Sequence, residues 1–238
     1  DAQGRPVYTE GEANYRKGDD KYIEVDRKIT YEYDPKESTI LPRMYSDQPN
    51  HVQRYMEVTG LRPNESPGFG DNLKFMFSHQ IGHMYLRYFM WNFAGRESDI
   101  QDAGWLSPWE AAKDVPEELA ENKGRNNYFM IPLILGIIGL VYQWKKDVRN
   151  FAFVGLLFIL TGVALVVYLN SPPIEPRERD YIYVGSYYAF AMWIGFAVLA
   201  IADVLAKFLS KKASVIAAVI VGLVAPGLMA QQNWDDIM

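Results

Sequence analysis

The sequence predicts an α-helical membrane protein: about four transmembrane helices, preceded by an extracytoplasmic α+β region that carries an interfacial amphipathic helix. Three observations lead there. The mean hydropathy of -0.14 averages two unlike halves, a polar one over residues 1–127 and a mostly apolar one over residues 128–230. The apolar half divides into runs near the ~20 residues that a helix needs to cross a bilayer core. The cationic residues between those runs follow a pattern that sets an orientation.

In the polar half, residues 21–33 (KYIEVDRKITYEY) hold two β-prone runs, 22–25 and 29–33, expected to form a hairpin with each other. Residues 51–58 read as a short helix stopped by Gly60, and 61–71 (LRPNESPGFGD) as a loop. Residues 72–95 (NLKFMFSHQIGHMYLRYFMWNFAG) repeat Leu73, Met76, Phe77, Ile81, Met84, Tyr88 and Trp91 at helical spacing. His79, His83 and Arg87 follow at i, i+4 and i+8 along one face. A helix that is aromatic on one side and basic on the other suits the headgroup plane, basic face toward phosphates. A spanning helix is the competing reading, and it needs Lys74, both histidines and Arg87 to face protein or water. Ser107, Pro108 and Glu110 make a capping-box pattern, and a further helix is expected to start at Pro116 and end near Gly124.

Four runs qualify as spans: residues 128–144, 151–169, 181–205 and 213–230. Lys145, Lys146 and Arg149 follow the first, and Lys207, Lys211 and Lys212 follow the third. Both turns are therefore expected on the cytoplasmic side, with residues 1–127, the turn at 170–180 and the tail 231–238 outside. Asp203 is expected to pair with Lys207 at i+4 near the cytoplasmic end. The spacing of Gly185 and Ala189 suggests close helix packing.

The net charge of -5, without a basic tract, argues against a nucleic-acid partner. A count of zero cysteines excludes disulfides and thiolate metal sites. No cofactor is identifiable. His79 and His83 share a face, but Gln80 stands where a metalloprotease pattern has Glu and no third ligand is evident, so a divalent metal is without support. The chain opens on Asp1-Ala2-Gln3 with no signal-like segment, and is expected to be a piece of a longer polypeptide.

Two charged stretches are candidates for a site. Residues 96–105 (RESDIQDAGW) follow the amphipathic helix directly, either as a solvated loop or as a polar shelf for a hydrophilic ligand. The turn 171–188 (SPPIEPRERDYIYVGSYY) carries Glu175, Arg177, Glu178, Arg179 and Asp180 between two apolar runs. Guanidinium groups bind phosphate oxygens bidentately, and prolines restrict the turn that presents them. The alternative is a loop of mutually neutralising charges.

DNLKFMFSHQIGHMYLRYFMWNFAGRESDIQ, PPIEPRERDYIYVGSYYAFAMWIG and the terminal NWDD together resemble the protein O-mannosyltransferase-like family of bacterial polytopic membrane proteins. That family, formerly a domain of unknown function, is glycosyltransferase family 117. The resemblance runs over nearly the whole chain, with RYFMWNFAGR and ERDY its most specific parts, and makes this chain look like a middle portion. It implies a GT-C-type glycosyltransferase in the bacterial inner membrane. Such an enzyme takes a sugar from a polyprenyl-phosphate donor to a protein or glycan acceptor outside the cytoplasm. The family's catalytic carboxylate sits in an earlier extracytoplasmic loop, so no general base is assigned here. On that reading Arg177 and Arg179 stabilise the departing lipid phosphate, and Glu178 and Asp180 position them or touch the sugar. His79, His83, Arg87 and Arg96 hold the donor headgroup or the acceptor.

Two other readings stand beside it. A transporter or lipid flippase would favour charged or broken helices at mid-membrane, and the spans hold few ionisable residues. A non-catalytic, membrane-anchored interaction module would use the extracytoplasmic portion to bind a partner.

Overall fold

The computed structural model describes residues 7–32, 40–63, 65–111, 114–175, 177 and 179–234, with Ala111 and Asp180 described by backbone alone. The chain opens on two antiparallel strands, β1 (Val7–Lys17) and β2 (Tyr22–Glu32). The hairpin expected within residues 22–33 is therefore corrected. The two β-prone runs are one continuous strand, and its partner is the preceding segment, which alternates less clearly. Register shifts at Glu10/Ala13 and Asn14/Tyr15 mark bulges on both strands, and nearly every residue of the ribbon is exposed.

Helix α1 (Pro49–Thr59) starts with Pro in its first turn and stops at Gly60, whose φ of 79° suits a residue without Cβ. A continuous helical rod then runs through α2 (Phe69–Phe75), a π-helical stretch Met76–Leu86, and α3 (Arg87–Phe93). This is the amphipathic segment of the sequence, and its environment differs from the expected one. Phe89 and Phe93 meet Phe190 at centroid distances of 4.8 and 4.6 Å, and Tyr85 meets Tyr183 at 5.2 Å. The aromatic side packs on protein, and the rod runs beside residues 158–170, from Gln80 at Asn170 to Phe89 at 5.9 Å from Phe158.

Strand β3 (Gly95–Arg96) pairs with β4 (Asn126–Asn127). Between them lie α4 (Pro108–Ala111) and α5 (Glu117–Ala120). Ser107 and Glu110 exchange hydrogen bonds, Ser107 N to Glu110 Oε2 at 3.2 Å and Glu110 N to Ser107 Oγ at 3.3 Å, as a capping box requires. Helix α5 is shorter than expected and ends at Ala120, capped by Glu121 rather than by Gly124.

The apolar half forms α6 (Ile131–Lys146), α7 (Val148–Thr161), α8 (Val163–Leu169), a 3-10 turn (Asp180–Tyr183), α9 (Val184–Leu205) and α10 (Lys211–Gln232). Among the described residues three helices are long and apolar enough to cross a membrane: Val148–Leu169, Tyr181–Leu205 and Lys211–Gln232. Positive φ at Phe129 and Met130 delays the start of α6, leaving 16 residues. At 1.5 Å per residue that is ~24 Å, against ~30 Å of hydrocarbon. Asn126 Nδ2 donates to Asn233 Oδ1 at 3.0 Å, which places the start of α6 and the end of α10 together.

Glycines set the tightest contacts. A Cβ at Gly136 would overlap the Phe190 ring, and one at Gly139 would overlap the backbone carbonyl of Trp193. These two positions let α6 lie against α9. Gly185 likewise faces Thr161, and Ala189 is fully buried. Gly162, where α7 gives way to α8, makes room for the Tyr85 hydroxyl. Asp203 departs from its expected pairing. It accepts from Tyr142 Oη and meets Lys146 Nζ, each at 3.0 Å, across α6 and α9 rather than within α9. The neighbouring helix supplies a cation closer than Lys207 because α6 and α9 pack so tightly.

Candidate functional site

Beside the rod, a cleft of about 260 Å³ opens between four segments. The rod supplies His79, His83, Met84, Arg87 and Tyr88 to one wall. The turn after α8 supplies Pro172, Pro173, Ile174, Glu175 and Arg177 to the other. Arg54 enters from α1, and Gln101 and Asp102 from the loop after the rod.

Helical spacing stacks the imidazoles. Phe75 and His79 lie 5.1 Å apart at 19°, and His79 and His83 5.3 Å apart at 17°. His79 is 6% exposed, and burial, helped by His83 and Arg54, pulls its pKa down to about 4. Burial also lowers the pKa of His83, helped by Arg87 and opposed by Asp102, whose Oδ1 is 3.0 Å from His83 Nε2. Both rings are therefore neutral at pH 7, and the arginines carry the positive charge. Asp102 reaches the ring from a backbone with φ of 64°, a strained conformation for a residue with Cβ.

Arg87 is buried and held in place. Its Nε donates to His83 O at 3.0 Å and Nη1 to Ala103 O at 3.1 Å, and the guanidinium sits 4.7 Å from the rings of both Tyr88 and Trp91. Arg177 is exposed, with Nη2 donating to Tyr181 Oη at 3.2 Å. Arg54 pairs with Glu57 at 3.1 Å within α1.

The structure thus gathers His79, His83, Arg87 and Arg177 into one cleft. Arg179 does not line it and lies 3.9 Å from Glu175 instead. Arg96 is elsewhere, its guanidinium 4.4 Å from the Trp91 ring and its backbone paired with Asn126 and Trp105. Asp180 opens the 3-10 turn, and Glu178 lies outside the described residues, as do Asp235 and Asp236 of the terminal motif. The polar shelf at 96–105 is mostly folded on itself: Glu97 Oε2 accepts from Gly104 N at 3.0 Å, and Asp99 Oδ1 from Asn122 Nδ2 at 2.7 Å. Only Gln101 and Asp102 of that segment reach the cleft. Sequence reasoning missed Arg54, and it held Asp102 and Glu175 within candidate stretches without assigning either a role. The i, i+4 ladder that marked the rod had no counterpart for them. Among the described residues no group of three or more His, Asp or Glu is placed to hold a metal ion.

Fold and site define the class: a helical membrane protein with a basic, histidine-lined cleft at one end of its apolar helices. A family of unknown function (DUF8416) matches residues 1–77, just under a third of the chain. The matched part holds the β-ribbon, α1 with Arg54, and the beginning of the rod. No curated protein and no solved structure matches this sequence.

Proposed function

We propose that this chain is part of a GT-C-type membrane glycosyltransferase, and that its cleft holds the phosphate of a polyprenyl-phosphate sugar donor at the extracytoplasmic surface. One observation carries the reading. Arg54, Arg87 and Arg177 reach one cleft from three separate segments, at the end of the apolar helices where a lipid phosphate would lie. Guanidinium groups suit that ligand, since they bind phosphate oxygens in pairs and stay charged. Asp102, Gln101 and the neutral imidazoles offer hydrogen-bond partners to sugar hydroxyls. In this reading α6 is a fourth, short span, and the polar half faces outward in accord with the lysines of the two opposite turns. The sequence resemblance supports the transfer chemistry and leaves the general base to another part of the polypeptide.

The test is transfer of labelled sugar from a polyprenyl-phosphate donor by the full-length protein in membranes. Arg177→Ala is expected to lower transfer by about 100-fold, the scale for removing one electrostatic stabiliser of a leaving group. Arg179→Ala should lower it less, because Arg179 does not line the cleft and touches it only through Glu175 of the wall. An Arg177→Ala protein as active as the parent would end the proposal. Donor binding without any transfer would favour the interaction-module reading.

A further inference from the structure

Two buried polar residues outside the cleft, Arg43 and Gln80, converge on the turn that forms one of its walls, and a third, Asn72, anchors the segment that carries Arg43. Arg43, Asn72 and Gln80 are 4%, 1% and 0% exposed. Arg43 Nη1 donates to Val167 O at 2.7 Å and to Asn170 Oδ1 at 3.2 Å. Gln80 Nε2 donates to the same Asn170 Oδ1 at 3.0 Å and to Ser171 O at 2.9 Å. Asn72 Oδ1 accepts from the backbone nitrogens of Arg43 and Met44 at 2.6 and 3.1 Å, which ties the residue-43 segment to the rod.

We propose that Arg43 and Gln80 are positioning residues for the cleft: through Asn170 and Ser171 they set where the wall formed by residues 172–175 and Arg177 stands relative to His79 and His83. Burying such groups is costly, the more so because Arg43 Nε and Gln80 Oε1 have no hydrogen-bond partner among the described residues, and an apolar side chain would pack here without that cost. Their bonds go to the exit of α8, where Val167 supplies a helix-terminal carbonyl and Asn170 turns the chain with φ of 44°. Pro172 and Pro173 follow at once with fixed φ, so the orientation of Asn170 and Ser171 passes on to Glu175 and Arg177. Gln80 is the neighbour of His79 on the rod. One turn of helix therefore presents a cleft residue and holds the opposite wall. The inference rests on the proposed function only for what the cleft binds.

This chain contains no cysteine, so once any cysteines in the rest of the polypeptide are replaced by serine, Phe77→Cys on the rod and Ile174→Cys on the wall give two defined spin-label sites. In the full-length protein in lipid nanodiscs, pulsed electron resonance should show one narrow distance between them. Gln80→Met and Arg43→Met should each replace it with a broad distribution. Arg43→Lys, which keeps a donor for Val167 O, should largely restore the narrow one. Asn92→Ala breaks only a bond to Tyr88 O within the rod and should leave the distance unchanged. In unlabelled protein, Gln80→Met should weaken binding of a polyprenyl phosphate by about tenfold, the scale of one hydrogen bond. An unchanged distance distribution in both Met variants overturns the proposal, and so does a broadened one with unchanged binding. If the parent protein binds no polyprenyl phosphate, the donor reading fails and the distance measurement alone decides the positioning role.

Discussion

The imidazole rings of His79 and His83 lie 5.3 Å apart and nearly parallel, with Phe75 stacked on the other side of His79. A protonated ring in that stack would face its neighbour's ring at close range, Arg87 on the same wall, and Arg54 and Arg177 from other segments of the cleft. Most consequences of the cleft for solution behaviour follow from this pair.

Folding should weaken with acid through His79. Its pKa is near 6.5 in the unfolded chain and about 4 in the folded protein. Between those values the unfolded chain binds more protons, so stability is full above pH 6.5 and declines as pH falls toward 4. The loss amounts to about 3 kcal/mol at most. Thermal unfolding at pH 7 and pH 4.5 measures it. His79→Phe, which keeps the stack, should show a smaller difference between the two.

Asp102 raises the pKa of His83 against burial and Arg87. Asp102→Asn removes that charge, so the His83 ring should hold its proton less well and its pKa should fall further. Titration of the ring by nuclear magnetic resonance in parent and variant gives the answer directly. A rise would mean that the carboxylate does not act on His83.

Gly139 should tolerate no side chain. Gly139→Ala forces a Cβ against the Trp193 carbonyl, and overpacking of this kind costs about 1–3 kcal/mol. A Cβ at Gly195 would meet nothing within 4 Å, so Gly195→Ala is a control on the facing helix, expected to stay near the parent. Denaturant or thermal midpoints of the purified proteins discriminate the two.

Trp193 Nε1 donates to Gln143 Oε1 at 2.7 Å inside the bundle. Trp193→Phe leaves that amide buried without its partner and should cost about 1–3 kcal/mol beyond the lost ring area. Adding Gln143→Leu removes the stranded group, so the double variant should recover part of the loss. Strict additivity of the two changes would show that the bond is not coupled in this way.

Several elements were legible because their signals are local. The helix at Pro49–Thr59 carried its stop in Gly60, the capping box at Ser107 carried its own partner in Glu110, and the apolar runs carried their length. Other readings failed where a neighbour intervened. The run at 22–33 paired with residues before it, Asp203 found Lys146 rather than Lys207, and the first apolar run started its helix late at Ile131. The π-helical stretch Met76–Leu86 left no mark in the periodicity, since widening a helix by one residue per turn depends on what packs around it.

Sequence alone determined that this is a helical membrane protein with a polar half, and that His79, His83 and Arg87 share one face, because burial pattern and helical period are properties of adjacent residues. Tertiary structure decided which charges face one another. Arg54, Asp102 and Arg177 are far apart in the chain and meet the histidines only because the rod packs beside residues 158–170 and Asn170 turns the chain back toward it. Arg179, close to Arg177 in sequence, was directed to Glu175 by the same turn. A charged residue's neighbours in space are set by the path of the backbone between them, and no short stretch of sequence carries that path.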